Sequence, residues 1–329
     1  MSRAAEPKID RSLTLNFVGD WGQANFHRVC SWLSQEFCRR AGSRSRVAIW
    51  NIPGGGVGSG GIEAIDEVQD GEADLCIVTP AMLIPAALQG RLIFEKRPAP
   101  DVRALVVLPQ NDRMILALNP ALGISTFEQL RAARPALRIA TSPDDGTNFI
   151  GYVARQFATA HGIGPETLSA WGGKYFYDTH PMDSIGRMLR GEVDGLLQEA
   201  VMSPGWTELV EGRRAVPLAA EKEALARLAL LGMPARSLPA GYWSTVQGEL
   251  EALDFSDFLV LVRSDMPEDV AHLLTWCLVE RRDGIERQYR HLPPQRSPLS
   301  YPLDPAAMSR TTVPLHPGAR RYFEETGLA

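Results

Sequence analysis

The amino-acid sequence predicts an α/β protein built as two units, and three observations carry that reading. A chain of 329 residues is longer than one hydrophobic core usually holds. Strand, turn and helix follow one another three times between Leu13 and Leu88, the pattern of a parallel sheet with helices on both faces. A glycine, an acidic pair and a buried apolar run occur together twice, at Gly71-Glu72-Ala73-Asp74 and at Gly191-Glu192-Val193-Asp194-Gly195. The expected division is 1–116 with 258–329 as one unit and 117–257 as the other.

The first strand is Leu13 to Val18, broken by Gly19-Asp20-Trp21-Gly22-Gln23, with a helix from Ala24 to Ala41 carrying Phe26, Val29, Cys30, Leu33 and Phe37 at helical spacing. Asp20, Trp21, Gln23 and Asn25 occupy that turn. The second strand, Val47 to Ile52, runs into a loop holding Gly54, Gly55, Gly56, Gly58, Ser59, Gly60 and Gly61, followed by a helix from Ile62 to Asp70. Glycines at that density expose backbone N–H groups, and the following helix turns its positive end toward the loop, so the stretch reads as an anion cradle. Its spacing fits neither the phosphate-binding loop nor the dinucleotide fingerprint, and no cofactor is expected. Leu75 to Val78 is the third strand, ending at Thr79-Pro80 before a helix from Ala81 to Leu88. The three turns are expected at the carboxyl ends of parallel strands, where ligands bind in such sheets.

Arg103 to Leu108 and Met114 to Leu118 read as further strands, and a short helix starts at Phe127. Leu137 to Thr141 leads into Ser142-Pro143-Asp144-Asp145-Gly146-Thr147-Asn148 and then a helix from Phe149 to His161. Ser and Thr hydroxyls beside a helix start form a second anion site, with Thr147 as either a ligand or the helix cap. Leu168 to Trp171 reads as a strand, Tyr175 to Pro181 as a loop, Met182 to Leu189 as a helix and Leu196 to Gln198 as a strand delivering Glu199 to the same region. Phe258 to Val262, apolar and flanked by charge like Met114 to Leu118, is expected to form with it a two-strand crossing between the units. Pro267 opens a long helix to Glu280, and Pro317 to Thr326 closes the chain as another.

A net charge of -5 and a pI near 5.8 give no reason to expect nucleic acid or an anionic membrane as partner. No apolar run is long enough to cross a bilayer. The six histidines and four cysteines show no metal-ligand spacing, so no metal is expected, and Cys30, Cys38, Cys76 and Cys277 read as unpaired thiols. No nucleophile elbow or zinc-protease helix is present. His180 sits in a loop near the expected site, Asp20, Asp145 and Glu199 are carboxylates at strand ends, and Trp21, Tyr175, Phe176 and Tyr177 suit the wall of an apolar or aromatic ligand.

Taken in order, the glycine turns, Gly71-Glu72-Ala73-Asp74-Leu75, the Ser-Pro-x-x-Gly-Thr turn at Ser142 to Thr147, Gly191 to Gly195, Val262-Arg263-Ser264-Asp265-Met266-Pro267-Glu268-Asp269, and Val313-Pro314-Leu315-His316-Pro317-Gly318-Ala319 with Tyr322-Phe323 resemble the TAXI family of solute receptors for TRAP transporters. The resemblance implies a type II periplasmic-binding-protein fold: two α/β lobes, a two-strand hinge and a small anion, typically a carboxylate or amino acid, in the cleft. It also implies a TRAP-type membrane permease as partner and export to the periplasm. By position it places ligand contacts near Gly19 to Asn25, Gly56 to Ser59, Thr79, Ser142, Thr147, Asn148 and Glu199. Met1 to Asp10 carries no apolar run of signal-peptide length, so a cytoplasmic location is the alternative expectation. Two other functions use the same scaffold: a cytoplasmic decarboxylase or lyase acting on a small carboxylate, and a cytoplasmic ligand sensor.

Overall fold

The apolar runs fold as strands close to where their periodicity places them. The computed structural model describes residues 5–19, 25–51 and 61–328. In chain order the strands are β1 (Thr14–Val18), β2 (Arg46–Trp50), β3 (Leu75–Val78), β4 (Val102–Leu108), β5 (Arg113–Leu118), β6 (Arg138–Thr141), β7 (Lys174–Tyr177), β8 (Gly195–Gln198), β9 (Val216–Pro217), β10 (Leu253–Asp254) and β11 (Phe258–Arg263). The chain divides into two units, Met1–Asn111 with Asp257–Ala329, and Asp112–Ser256.

The first unit holds a sheet in the order β2-β1-β3-β11-β4. β1 pairs in parallel with β2 and β3, while β11 runs antiparallel between β3 and β4, so the sheet is mixed. β3 is buried throughout and β11 nearly so, as expected for central strands that read as unbroken apolar runs. The helix Glu268–Glu280 packs against the helices Asn25–Cys38 and Pro317–Thr326, burying Phe37, Leu274, Trp276, Tyr322 and Phe323. Each such side chain contributes about 1.5–3 kcal/mol of transfer free energy.

The C-terminal Pro-Leu-His-Pro-Gly run has an architectural role in this unit. Ala104 of β4 donates its N–H to Pro314 O at 3.0 Å and accepts from the His316 N–H at 2.9 Å, which lays the run beside the sheet. His316 then caps the last helix, its Nδ1 accepting from the Gly318 N–H at 3.1 Å. Only glycine fits at 318, because a Cβ there would stand 2.2 Å from Glu268 O.

The second unit holds the order β10-β5-β8-β6-β7, with β9 also on β5. β6 is parallel to β7 and β8, and β5 is antiparallel to β8. The repeated glycine-acid segment does one job in both units. Asp74 accepts from the Asn16 N–H at 2.7 Å and returns its own N–H to Asn16 O at 2.8 Å. Asp194 does the same with Arg138, at 2.9 and 2.8 Å. In each case the acid pins the start of one strand to its parallel neighbour, at the middle of β1 and at the start of β6, so the segment sets register.

Two expectations are corrected. Leu168 to Trp171 is not a strand: Pro165 and Glu166 start a helix, Pro165–Ala170, where a proline at the first position and an acid in the first turn are favourable. The expected loop from Tyr175 contains β7, an edge strand whose alternating aromatic residues suit a half-buried sheet position. The chain passes between the two units just before β5 and again just before β11, which lie in the second and the first sheet.

Candidate functional site

In the second unit the parallel strands β6, β7 and β8 end at Thr141-Ser142, Tyr177-Asp178 and Gln198-Glu199. β5 runs the other way, with Ile115 opposite Gln198, so its leading residues Asp112 and Arg113 come to the same edge. This is the edge at which open α/β sheets bind ligands. The helix Phe149–Ala160 starts here, and its unsatisfied amides and dipole present positive potential.

Ser142, Thr147, Asn148 and Glu199 all belong to this edge. Ser142 is buried, and its Oγ accepts from Gln198 Nε2 at 3.1 Å. Asn148, not Thr147, caps the helix, its Oδ1 accepting from the Gly151 N–H at 3.1 Å. Thr147 folds into the preceding turn, where its hydroxyl and N–H donate to Asp145 Oδ1 at 2.8 and 2.9 Å. That turn leaves Asp145 as a structural acceptor beside the helix start.

Glu199 is buried against Asp112, a residue that sequence reasoning missed. Asp112 Oδ1 accepts from the Arg113 N–H at 2.7 Å and the Val201 N–H at 3.1 Å, and Oδ2 accepts from the Ala200 N–H at 3.1 Å. These bonds hold Ala200 in the left-handed region at φ 64. Glu199 and Asp112 interact as a buried carboxyl pair, and of the two Glu199 is the one held further above its ordinary range. Burial first, and then the Asp112 charge and the bond to it, push the Glu199 carboxyl well above the usual range, while burial also raises Asp112. An acid at the start of an apolar strand was the only signal in the sequence, and nothing local connects it to Glu199.

The pair makes stability depend on pH with a definite sign. A carboxyl whose folded pKa is raised contributes fully below the unfolded value of 4.5 and loses that contribution as pH rises through the folded pKa. Glu199→Gln keeps a donor toward Asp112 and removes the titration. Urea midpoints measured from about pH 5 to about pH 9 are therefore expected to fall for the wild type and to stay flatter for the variant. Parallel profiles would mean that Glu199 does not hold the proton.

Of the remaining sequence-predicted residues, Tyr175 shares a pocket lining with Ser142 and the others lie elsewhere. Asn25 and Thr79 belong to the first unit: Asn25 accepts from the Tyr289 hydroxyl and donates to Pro298 O at 3.3 Å, and Thr79 donates to Gln110 Oε1 at 3.4 Å. His180 caps the helix Pro181–Leu189, its Nδ1 accepting from the Met182 N–H at 3.3 Å. Tyr175 sits within β7 rather than at the strand ends, its hydroxyl donating to Ile163 O at 2.7 Å. Asp20, Trp21, Gln23, Gly56 and Ser59, with most of the glycine-rich loop, lie outside the described residues.

A pocket of about 310 Å³ in the second unit includes Thr141, Ser142 and Tyr175 in its lining. Among the described residues no group of three or more His, Cys, Asp and Glu could hold a metal ion, and no helix is long and apolar enough to cross a membrane.

Comparison with solved structures gives a fold likeness across nearly the whole chain. A structure described as a periplasmic transporter aligns at a TM-score of 0.52 and 11% identity, covering 96% of this chain and 94% of that one. A Bordetella bronchiseptica RB50 protein aligns at 0.51 and 12%, covering 97% and 99%. A Xanthomonas citri protein bound to ATP aligns at 0.50 and 12%, covering 95% and 98%. The two mixed sheets with their helices are thus of the periplasmic-binding-protein kind. No curated protein matches the chain in sequence. Residues 49–327 match the model of the NMT1-like family, and the chain belongs to that family.

Proposed function

We propose that this protein is a solute-binding protein that captures a small organic anion, a carboxylate or an amino acid, and delivers it in the periplasm to a membrane permease of the TRAP type, as a TAXI-like receptor. Membership of the NMT1-like family and the likeness to a periplasmic transporter support a binding role on this scaffold. The observation that carries the anion is the start of the helix Phe149–Ala160 at the carboxyl edge of β6 and β8, with a run of amides around it and the Ser142 hydroxyl, which accepts from Gln198 and keeps its hydrogen to donate. The side chains there favour binding by amides and hydroxyls over ion pairing. Arg187 is committed to Asp178, with its Nε 2.9 Å from both carboxylate oxygens, and Arg155 to Asp144 at 3.1 Å.

Thermal unfolding in the presence of C2 to C8 carboxylates and amino acids is the direct test, because a ligand that binds only the native state raises the melting temperature by mass action. Loss of one hydrogen bond to a charged ligand corresponds to an affinity drop of about tenfold or more. Thr147→Ala, which only loosens the turn held to Asp145, is expected to give less than that drop. Ser142→Ala is expected to produce the full drop together with a stability loss of about 1 kcal/mol, since Gln198 Nε2 loses its acceptor. Carboxylate affinity unchanged in both variants would remove this edge from the binding site.

A further inference from the structure

The second unit contains a pocket that adjoins the anion-binding edge and shares Ser142 with it in its lining. It exists because the helix Phe149–Ala160 turns small residues, Gly151, Ala154 and Ala158, toward the β-sheet at positions i, i+3 and i+7. Opposite them stand Tyr175 and Tyr177, two apart on edge strand β7 and therefore on one face, with ring centroids 6.4 Å apart and planes at 22°. Phe176 between them packs against the core cluster on the other face. Tyr175 is anchored by its bond to Ile163 O, whereas the Tyr177 side chain is half in solvent, at 53% exposure.

Thr141 also lines this space. It is 3% exposed, and its Oγ1 is buried with no hydrogen-bond partner among the described residues. A buried hydroxyl without a partner carries a desolvation cost that a bound polar group can relieve. Arg155 lies in the same lining, with Asp144 Oδ2 at 3.1 Å and Glu166 Oε1 at 3.9 Å. Two carboxylates against one guanidinium leave no side-chain cation in the pocket lining to pair with a carboxylate ligand.

We infer that this pocket is a binding site for a compact neutral ring compound bearing a hydroxyl or carbonyl group, seated between the two tyrosine rings and the alanine face of the helix, with its polar atom on Thr141. A volume of about 310 Å³ accommodates a single substituted ring. Aromatic walls favour a ring over a flexible chain of equal size.

Calorimetric titration of the full chain with benzyl alcohol tests the assignment. Saturable binding is expected, weakened about fivefold in Thr141→Val, which keeps the shape and removes the hydroxyl. Binding is expected to disappear in Ala158→Leu, which fills the pocket, and to weaken in Tyr177→Ala, a half-exposed position where folding is not at risk. Tyr177→Ala removes no group assigned to the anion and should leave carboxylate affinity unchanged, although Ser142 borders both sites. Benzoate should fail to displace benzyl alcohol. No saturable binding up to about 10 mM, a ligand too weak to matter at about 3 kcal/mol, would overturn the proposal. Equal affinity in wild type, Thr141→Val and Tyr177→Ala would do the same, as would displacement by benzoate.

Discussion

Asp112→Ala is expected to destabilise the second unit by about 4 kcal/mol, the largest single effect foreseen for this protein. The Arg113, Ala200 and Val201 amides lose their acceptor in a site with no exposure, and the Glu199 carboxyl loses its partner. Each buried orphan costs about 1–3 kcal/mol, and partial relaxation keeps the total below the sum. Urea unfolding followed by tryptophan fluorescence suits the measurement. Trp206 and Trp243 stack at 5.8 Å in this unit's core and report its packing. Asp112→Asn keeps one oxygen but turns an amide donor toward either an N–H or the Glu199 carboxyl, so a loss of about 2 kcal/mol is expected there. A loss under about 1 kcal/mol in the alanine variant would show that the carboxylate does not hold the turn.

Gly151→Ala is expected to cost about 3 kcal/mol and to weaken ligand binding in the same measurement series. A Cβ at 151 would stand 1.8 Å from Pro143 O and 2.2 Å from Pro143 C, so either the helix start or the Ser142 turn must move. Both carry groups assigned to the anion. Gly146→Ala provides the contrast. It has open space around it but a φ of 84, so only the left-handed conformation is strained, at about 1 kcal/mol. If the two variants cost the same, close approach is not what selects glycine at 151.

Local chemistry made much of the fold legible. The helices Ile62–Asp70 and Pro317–Thr326 and the strand Leu75–Val78 stand where the sequence places them, because Gly71 in the left-handed region ends one helix and Pro317 opens another. Leu168 to Trp171 was illegible as helix because four residues of mixed polarity carry no period, and the deciding signal, Pro165 with Glu166, lies before them. The Ser142, Thr147 and Asn148 turn could be read as a helix start, but which residue caps it could not. Thr147 and Asn148 are both good caps, and the Asp145 acceptor decides between them.

By itself the sequence determined the succession of strands, turns and helices outside the stretch from Pro165 to Tyr177, and it carried the Asp74 and Asp194 register pins twice over. Periodicity, capping and glycine conformation act over a few residues, so the residue string suffices for them. Only the tertiary structure decided that β5 and β11 join different sheets, that Asp112 shares a buried site with residues about 88 positions away, and that small residues on one helix open a pocket against β7. Those outcomes depend on which distant segments pack together. That choice is set by burial and steric fit summed over the whole unit, which no local pattern encodes.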